Sequence, residues 1–412
     1  MSVMRLILSC VVVLFLFAQS AAFAVPPGFV TREIPIGAPT AAVTFDDAGM
    51  LYVVESAVYF ENATNLHVVA PSGMIVSTAT ITGEDPDNFF VGGVAYDFVD
   101  GRILVTDNAG SGRLYSFDEA GNRETIADGI QFITDVAVRS SGEIFVSTAT
   151  TAGEVLAVDR ATGSTVSALG GLAFGAGLAF EADGDLVVQD VAYDAQFNPS
   201  GSLRRLPISE SESGLQFGAP EALVSGANSS YGVVITTPNE NEYFATGRGG
   251  LYRYSGTPLG ESLFAGSGGE DHFSSAIAFH PGVDSFAAFA GAGGGKIVYA
   301  AQAAFGVEDD FLTVITPAEP TDFNSSGLID LADLEVWAAG FGMAAPGRNQ
   351  GDANADGAVT GDDFLTWQRS YQQDLPPVQA LFNGMQIPEP NSMLLFAFSG
   401  AIFLARVFLR VH

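Results

Sequence analysis

Short apolar runs separated by Gly, Asp, Asn and Ser dominate the first three hundred residues of the chain. No long segment there has the apolar spacing of an amphipathic helix, whereas β-branched runs bounded by turn residues are typical of strands. One unit recurs at intervals of roughly 40–55 residues: an apolar strand led by a small residue, a turn, a second strand, a Gly-rich turn and a third strand. The pattern predicts a repeated β architecture from residue 29 to about residue 315.

Six copies of this unit can be aligned. Their first strands fall at residues 42–45, 93–96, 135–138, 177–180, 232–235 and 276–279. Their second strands fall at 50–54, 103–105, 144–146, 186–188, 242–245 and 285–288, and their third strands at 66–69, 113–117, 155–158, 203–206, 251–254 and 297–299. We therefore predict an all-β fold, a six-bladed β-propeller over residues 25–315. Residues 30–35 or 312–315 would supply the outer strand of the last blade and hide a sheet edge.

The repeat resembles the NHL-repeat and gluconolactonase-like propellers over most of this region. That resemblance implies a divalent metal in the central channel, held by Glu, Asn and Asp near the ends of second strands. The residues at such positions are Glu55, Asp107, Asn108 and Asp190. Their oxygen atoms suit a hard cation, but Asp and Asn are also favoured in turns, where they bond to the backbone. Both interpretations stay open.

Two segments that begin at Asp322 and Asp352 repeat at a spacing of 30 residues. Each has oxygen-bearing side chains at loop positions 1, 3, 5, 9 and 12, Gly at position 6 and a backbone carbonyl at position 7, as in an EF-hand-like calcium loop. The predicted ligands are Asp322, Asn324, Ser326, Leu328, Asp330 and Asp333 in the first loop, and Asp352, Asn354, Asp356, Ala358, Thr360 and Asp363 in the second. We expect two calcium sites, the first weaker because Ser326 replaces a carboxylate.

Trp337 and Trp367 each follow position 12 of their loop by four residues. A short amphipathic helix is therefore expected after each loop, with its Trp packed between the two halves. The doubled loop and the matched tryptophans resemble a type I dockerin over residues 322–372, which implies calcium-dependent folding. The residues with which dockerins contact cohesin have no recognisable counterpart beside these tryptophans, and a solvated acidic linker is the alternative.

The N-terminal segment is apolar from residue 6 to residue 18 and follows a single charged residue, Arg5. Small residues flank Phe23, which is the pattern of a signal-peptidase site. We predict a signal peptide over residues 1–24, cleaved after Ala24. Cleavage would remove Cys10, the one cysteine of the chain.

The C-terminal segment carries Pro388, Glu389 and Pro390, then a mostly apolar stretch and terminal arginines. This order resembles the PEP-CTERM sorting signal of bacterial exported proteins, over residues 388–412. The resemblance implies a transmembrane helix until an exosortase-type enzyme processes the chain, with the arginines on the cytoplasmic side. A simple membrane anchor is the alternative.

The net charge of the 412-residue chain is −31, which gives it no electrostatic means of binding nucleic acid. A single Cys excludes a disulfide scaffold. Motifs for a Ser nucleophile elbow, a phosphate loop or a His-based metal site do not occur in the sequence.

Residues 316–321 and 373–387 are Pro-containing linkers between these parts.

We expect an exported cell-surface or matrix protein, similar to exported proteins of planctomycete-like bacteria, whose propeller binds a polysaccharide or a surface protein. One alternative is a metal-dependent, lactonase-like secreted hydrolase that uses the propeller channel. Another is a purely structural matrix component.

Overall fold

A computed structural model describes residues 29–373, except for 57–60, 71–72, 86–87, 151, 195–198, 213, 228–233, 237–241, 248–249, 267–271, 281–295, 304–310, 318–319, 325–328, 344–346 and 355. The predicted signal peptide and the PEP-CTERM segment, with its predicted membrane helix, lie outside the described residues. Within the described part, no helix is long and apolar enough to cross a lipid bilayer.

Five antiparallel four-stranded sheets each come from one continuous part of the chain. Sheet 1 comprises β2 (Thr40–Phe45), β3 (Leu51–Glu55), β4 (Ala63–Val69) and β5 (Ile75–Thr82). Sheet 2 comprises β6 (Val91–Asp97), β7 (Arg102–Asp107), β8 (Arg113–Phe117) and β9 (Arg123–Asp128). Sheet 3 comprises β10 (Ile133–Val138), β11 (Ile144–Thr148), β12 (Gly153–Val158) and β13 (Thr165–Leu172).

Sheet 4 comprises β14 (Gly175–Phe180), β15 (Leu186–Tyr193), β16 (Pro199–Leu206) and β19 (Glu221–Ala227). A hairpin that the repeat did not predict, β17 (Ile208–Ser211) and β18 (Gly214–Phe217), lies between its last two strands. Sheet 5 comprises β20 (Val234–Thr236), β21 (Tyr243–Gly247), β22 (Gly250–Ser255) and β23 (Gly260–Gly266).

Sheet 6 is assembled from both ends of the β region. It comprises β24 (His272–His280), β25 (Lys296–Ala303), β26 (Phe311–Pro317) and, as its outer strand, β1 (Phe29–Pro35). Residues 30–35 therefore supply the outer strand, while residues 312–315 belong to the third strand. The prediction that 297–299 is a third strand is wrong, because these residues lie in β25 and pair with β24 as the second strand. Residues 285–288, predicted as that second strand, lie outside the described residues.

The all-β propeller class is confirmed by how the sheets meet. The first strands β2, β6, β10, β14, β20 and β24 contact one another in this order, and β24 contacts β2 again. They form the inner wall of a closed ring. In sheets 1 to 5 the second strand is covered on both faces by neighbouring sheets, so its residues are mostly buried. Val53, Val105, Val146 and Val188 are fully buried at equivalent positions. Each such side chain contributes about 1.5–3 kcal/mol of hydrophobic stabilisation.

We call the face of the ring where first strands begin and second strands end the upper face, and the opposite one the lower face. Arginines join neighbouring sheets on the lower face. Arg160 of sheet 3 bonds both oxygens of Asp97 in sheet 2, and its Nη1 donates to Asp100 at 2.6 Å. Arg205 of sheet 4 donates to the Tyr243 hydroxyl of sheet 5 at 2.7 Å.

The segment after the ring contains two helices, α1 (Leu331–Gly340) and α2 (Gly361–Gln373). Each follows one predicted calcium loop, which confirms the expected loop–helix order. Trp337 of α1 packs on Phe364 of α2 with ring centroids 5.0 Å apart, and its Nε1 donates to the Thr360 carbonyl at 2.9 Å. Gly340 is required by close packing, because a Cβ there would lie 1.8 Å from the Gln350 carbonyl oxygen.

We predict that Arg160→Ala destabilises the folded ring by about 3 kcal/mol, because it leaves the Asp97 carboxylate, only 1% exposed, buried without its cation. Asp100→Ala is the matched control, since Asp100 bonds the same guanidinium but is 48% exposed, and it should cost under about 1 kcal/mol. Urea unfolding of both variants measures the difference. Equal losses would contradict the role given to Asp97.

Candidate functional site

The upper face repeats one backbone hydrogen bond in successive sheets. In sheets 1 to 3 the amide after the end of the second strand donates to the carbonyl of the residue that precedes the first strand, and in sheet 4 the donor is Val191, near the end of β15. The acceptors in sheets 2, 3 and 4 are Phe90, Phe132 and Phe174, with N···O distances of 2.8, 2.8 and 3.2 Å. In sheet 1 the equivalent acceptor is Pro39. Because the bond is the same in each sheet, the three phenylalanines occupy equivalent places around the ring.

These three phenylalanines, which we call the aromatic arc, are unusually exposed for their type. Phe90 and Phe174 are 37% exposed and Phe132 is 57% exposed. Phe132 also has φ 53°, the one positive φ of a non-glycine among the described residues. A bulky residue in that conformation costs free energy, and an exposed phenyl ring recovers little of it by burial. The arrangement therefore points to a role for the rings outside the core.

Carboxylates in the upper part of second strands hold the backbone of this face in place. Asp107 Oδ1 accepts from the amides of Phe90 and Ala109 at 3.0 and 2.9 Å. Asp190 Oδ1 accepts from the amides of Ala173 and Phe174 at 2.8 and 3.2 Å. Each carboxylate thus fixes the backbone beside one phenylalanine of the arc.

The other two predicted channel residues are held in different ways. Glu55 Oε1 lies 2.6 Å from His67 Nε2, and its Oε2 accepts from Asn65 Nδ2 at 2.9 Å. His67 Nδ1 in turn lies 2.8 Å from Thr78 Oγ1. The backbone amide of Asn108 bonds to Phe90.

The structure therefore distributes Glu55, Asp107, Asn108 and Asp190 over three sheets, each bound to its own neighbours. Among the residues that the structure describes, no three His, Cys, Asp or Glu side chains are grouped so that they could hold a metal ion. A channel metal held by these four residues stays a prediction, and the geometry just described lends it no support.

One buried carboxyl lines the ring of first strands and was not singled out by the sequence. Asp135 Oδ2 accepts from the Leu178 amide of the next sheet at 2.8 Å, and Oδ1 accepts from the Val136 amide at 2.8 Å. On the other side, a Cβ on Gly93 would lie 2.1 Å from Asp135 Oδ1, so only glycine allows this approach. Burial raises the pKa of Asp135 to about 7, and it also raises the pKa of Asp107.

The second predicted calcium loop is compact. Asp352 accepts from the amides of Asp356 and Gly357 at 3.2 and 3.0 Å, and Asn354 Oδ1 accepts from Asp356 at 2.9 Å. Gly357, at loop position 6, has φ +85°, the left-handed conformation expected there. Although burial opposes it, amide bonds from Thr360, Asn354 and Ala353 lower the pKa of Asp363.

The first loop shares this plan as far as it is described. Asp333 is fully buried and accepts from the amides of Asn324 and Asp330 at 3.0 and 2.9 Å. Burial and the nearby charges of Asp322 and Asp330 raise its pKa. Ser326 and Leu328 lie outside the described residues. Carboxylate oxygens have the donor chemistry that suits calcium, although the described carboxylates of both loops are not grouped closely enough to hold a metal ion here.

No protein-family model matches the chain, and no curated protein does. Among solved structures, a gluconolactonase from Xanthomonas campestris aligns with a TM-score of 0.48 and 12% identity over 71% of this chain and 91% of that chain. The PQQ-bound aldose sugar dehydrogenase from Streptomyces coelicolor aligns with a TM-score of 0.49 and 15% identity over 71% and 99%. Virginiamycin B lyase from Staphylococcus aureus aligns with a TM-score of 0.43 and 11% identity over 70% of this chain and 99% of that chain. Likenesses this weak assign no activity to this chain.

We predict that Asp135→Asn removes a pH-dependent part of the stability. The folded-state pKa of about 7 lies above the ordinary value of 3.8. The folded protein therefore retains a proton that the unfolded chain loses, so this contribution is complete below about pH 4 and is lost as the pH rises through about 7. The free energy of unfolding should fall by at most about 1.4 kcal/mol per pH unit through this one group.

Urea unfolding between pH 4.5 and pH 8 measures this slope in the wild type and the variant. Asp183→Asn, at an exposed carboxylate of the same ring, is the control and should keep the wild-type slope. An unchanged slope in Asp135→Asn would show that Asp135 does not titrate in this range.

Proposed function

We propose that this is an exported binding protein of the cell surface or extracellular matrix, whose propeller binds polysaccharide through the aromatic arc. The observation that supports this proposal is the exposure of Phe90, Phe132 and Phe174 at equivalent upper-face positions of three successive sheets. Exposed rings at regular intervals suit an extended ligand with repeated apolar faces. The C–H face of a sugar ring is such a surface, and aromatic side chains offer large contact areas at little entropic cost.

The charge of the chain narrows the class of polysaccharide. With a net charge of −31, the protein repels polyanions at long range. Acidic side chains also accept hydrogen bonds from sugar hydroxyls. We therefore propose a neutral polysaccharide as the ligand.

We further propose that both loops of the α1–α2 segment bind calcium, the first more weakly. The supporting observations are the shared loop–helix plan, the left-handed Gly357 and the buried carboxylates at position 12. Calcium would supply positive charge to a cluster of acids that otherwise repel one another, and would thereby stabilise the helical pair.

Counting sheet 6 as a blade, we propose a six-bladed ring.

Export and attachment are part of the same proposal. Residues 1–24 would direct export, and residues 388–412 would hold the chain in the membrane until an exosortase-type enzyme cleaves near Pro388. The linkers would then let the ring stand clear of the envelope.

Hydrolysis of a lactone in the ring is the second candidate function. The observation that favours it is Asp135, a carboxyl among the first strands whose pKa of about 7 suits a general acid or base at neutral pH. The binding proposal accounts for more of the upper face, because catalysis leaves the aromatic arc without a role.

We predict that Phe132→Ala weakens binding of a neutral polysaccharide about tenfold, because it removes one stacking ring. Phe98→Ala is the matched control, since Phe98 is 40% exposed but lies at the lower face. A glycan array with the full chain selects the ligand, and calorimetry with that ligand compares the variants.

Three results would count against the proposal: no glycan bound by the folded protein, equal losses in both variants, or turnover of lactone substrates without any glycan binding. The last would favour the hydrolase.

We predict two calcium-binding events in the full chain, of which Asp352→Ala abolishes the tighter one. Asp362→Ala is the matched control, because Asp362 is exposed at the start of α2 and is not a predicted ligand. Calorimetry in calcium-free buffer counts the sites, and far-ultraviolet circular dichroism should lose helical signal on chelation. A spectrum unchanged by the chelator, or no heat of binding, would contradict the calcium proposal.

A further inference from the structure

A cavity of about 450 Å³ opens between the end of β13 and the strands β15, β16 and β19. Its volume lies in the range of small-molecule sites. Its walls are made mostly of small residues, among them Ala173, Ala192 and Ser202, so a ligand can approach the strands closely. Two charged residues, Asp190 and Arg204, complete the lining.

The charged pair is built into the sheet and is only partly used by the protein. Arg204 Nη2 donates to Asp190 Oδ2 at 2.6 Å, while Asp190 Oδ1 holds the amides of Ala173 and Phe174. The Asp190 side chain is 5% exposed, so three donors fix it in place. The Arg204 side chain is 32% exposed, and its Nε and Nη1 have no acceptor among the described residues. The pair thus presents free donors beside a fixed acceptor.

Two aromatic residues are chain neighbours of residues that line this cavity, although neither is part of the lining itself. Phe174 follows Ala173 and Tyr193 follows Ala192 in the chain. The two rings meet edge to face with centroids 5.9 Å apart, and they are 37% and 45% exposed. Phe174 also belongs to the aromatic arc, so the cavity lies where the arc ends in sheet 4.

We propose that this cavity is a saccharide subsite that binds one terminus or branch of a neutral glycan. Vicinal hydroxyls would accept from Arg204 Nε and Nη1 and donate to the remaining lone pair of Asp190 Oδ2, and the sugar ring would lie against the small residues of the lining. An anionic sugar would meet the Asp190 carboxylate, and a cationic one would meet Arg204, whereas a neutral polyol satisfies both. This inference rests on the proposed polysaccharide-binding function and names its sugar-binding residues.

Arg204→Lys tests the donors while keeping a cation beside Asp190, and Ala192→Trp fills the cavity while leaving the ion pair intact. Arg253→Lys is the matched control, because Arg253 bonds Glu242 on the lower face and is 40% exposed. Calorimetry of the full chain uses cellohexaose, mannohexaose and the acidic hexagalacturonate. We expect at least one neutral hexasaccharide to bind the wild type. Its affinity should be at least about tenfold lower for Arg204→Lys and Ala192→Trp. Its affinity for Arg253→Lys should differ from the wild-type value by less than about twofold.

The outcomes separate the two proposals. If no neutral saccharide binds the wild type, the polysaccharide function fails and the subsite with it. If a neutral hexasaccharide binds the wild type and both cavity variants equally, the subsite is overturned while the binding function stands. Preferred binding of hexagalacturonate in the cavity would overturn the neutral class. Melting curves and near-ultraviolet circular dichroism check that each variant is folded, and a misfolded Arg204→Lys leaves Ala192→Trp as the deciding variant.

Discussion

The pairing of β1 with β26 is the contact on which the rest of the ring depends. Seven residue pairs join these strands, from Phe29 with Pro317 to Pro35 with Phe311. Without them, sheet 6 would have three strands and an open edge, and its apolar face towards sheet 1 would lose Ile34. Because every sheet packs against two neighbours, an opening at one place weakens the packing around the whole circuit. The pairing of the two ends of the β region therefore closes the ring and stabilises all the sheets between them.

A closed ring determines where polar groups can lie. The second strands of sheets 1 to 5 are buried on both faces, so polar side chains are concentrated where strands end. On the lower face they join neighbouring sheets, as Arg160 does with Asp97. On the upper face Asp107 and Asp190 bind the backbone beside the aromatic arc. The same residue types stabilise one face and shape the other, and the upper face keeps its rings and its cavity exposed.

The sequence was sufficient for the features that depend on local pattern. It predicted the first three strands of each of the first five sheets, residues 30–35 as one of two candidates for the closing strand, a helix after each calcium loop and the turn at Gly357. The sequence misassigned β25. Residues 276–303 contain more apolar runs than the two strands of sheet 6, β24 and β25, that lie in this range. It missed the hairpin β17–β18, which interrupts the repeat. In both cases the repeat period alone could not decide between competing apolar segments.

The candidate site depended more on tertiary contacts. Asp190 was recognised from its position, but its partner Arg204 lies on the adjacent strand, and only the register of β15 with β16 brings them together. The phenylalanines of the arc resemble core residues in sequence, since Phe is usually buried.

Hydrogen–deuterium exchange of the full chain with and without its glycan tests the central claim, that the aromatic arc binds a polysaccharide, most directly. Protection of amides at residues 89–92, 131–134, 173–176 and 190–193 is the predicted result, and protection confined to the lower face or to residues 320–373 would contradict it.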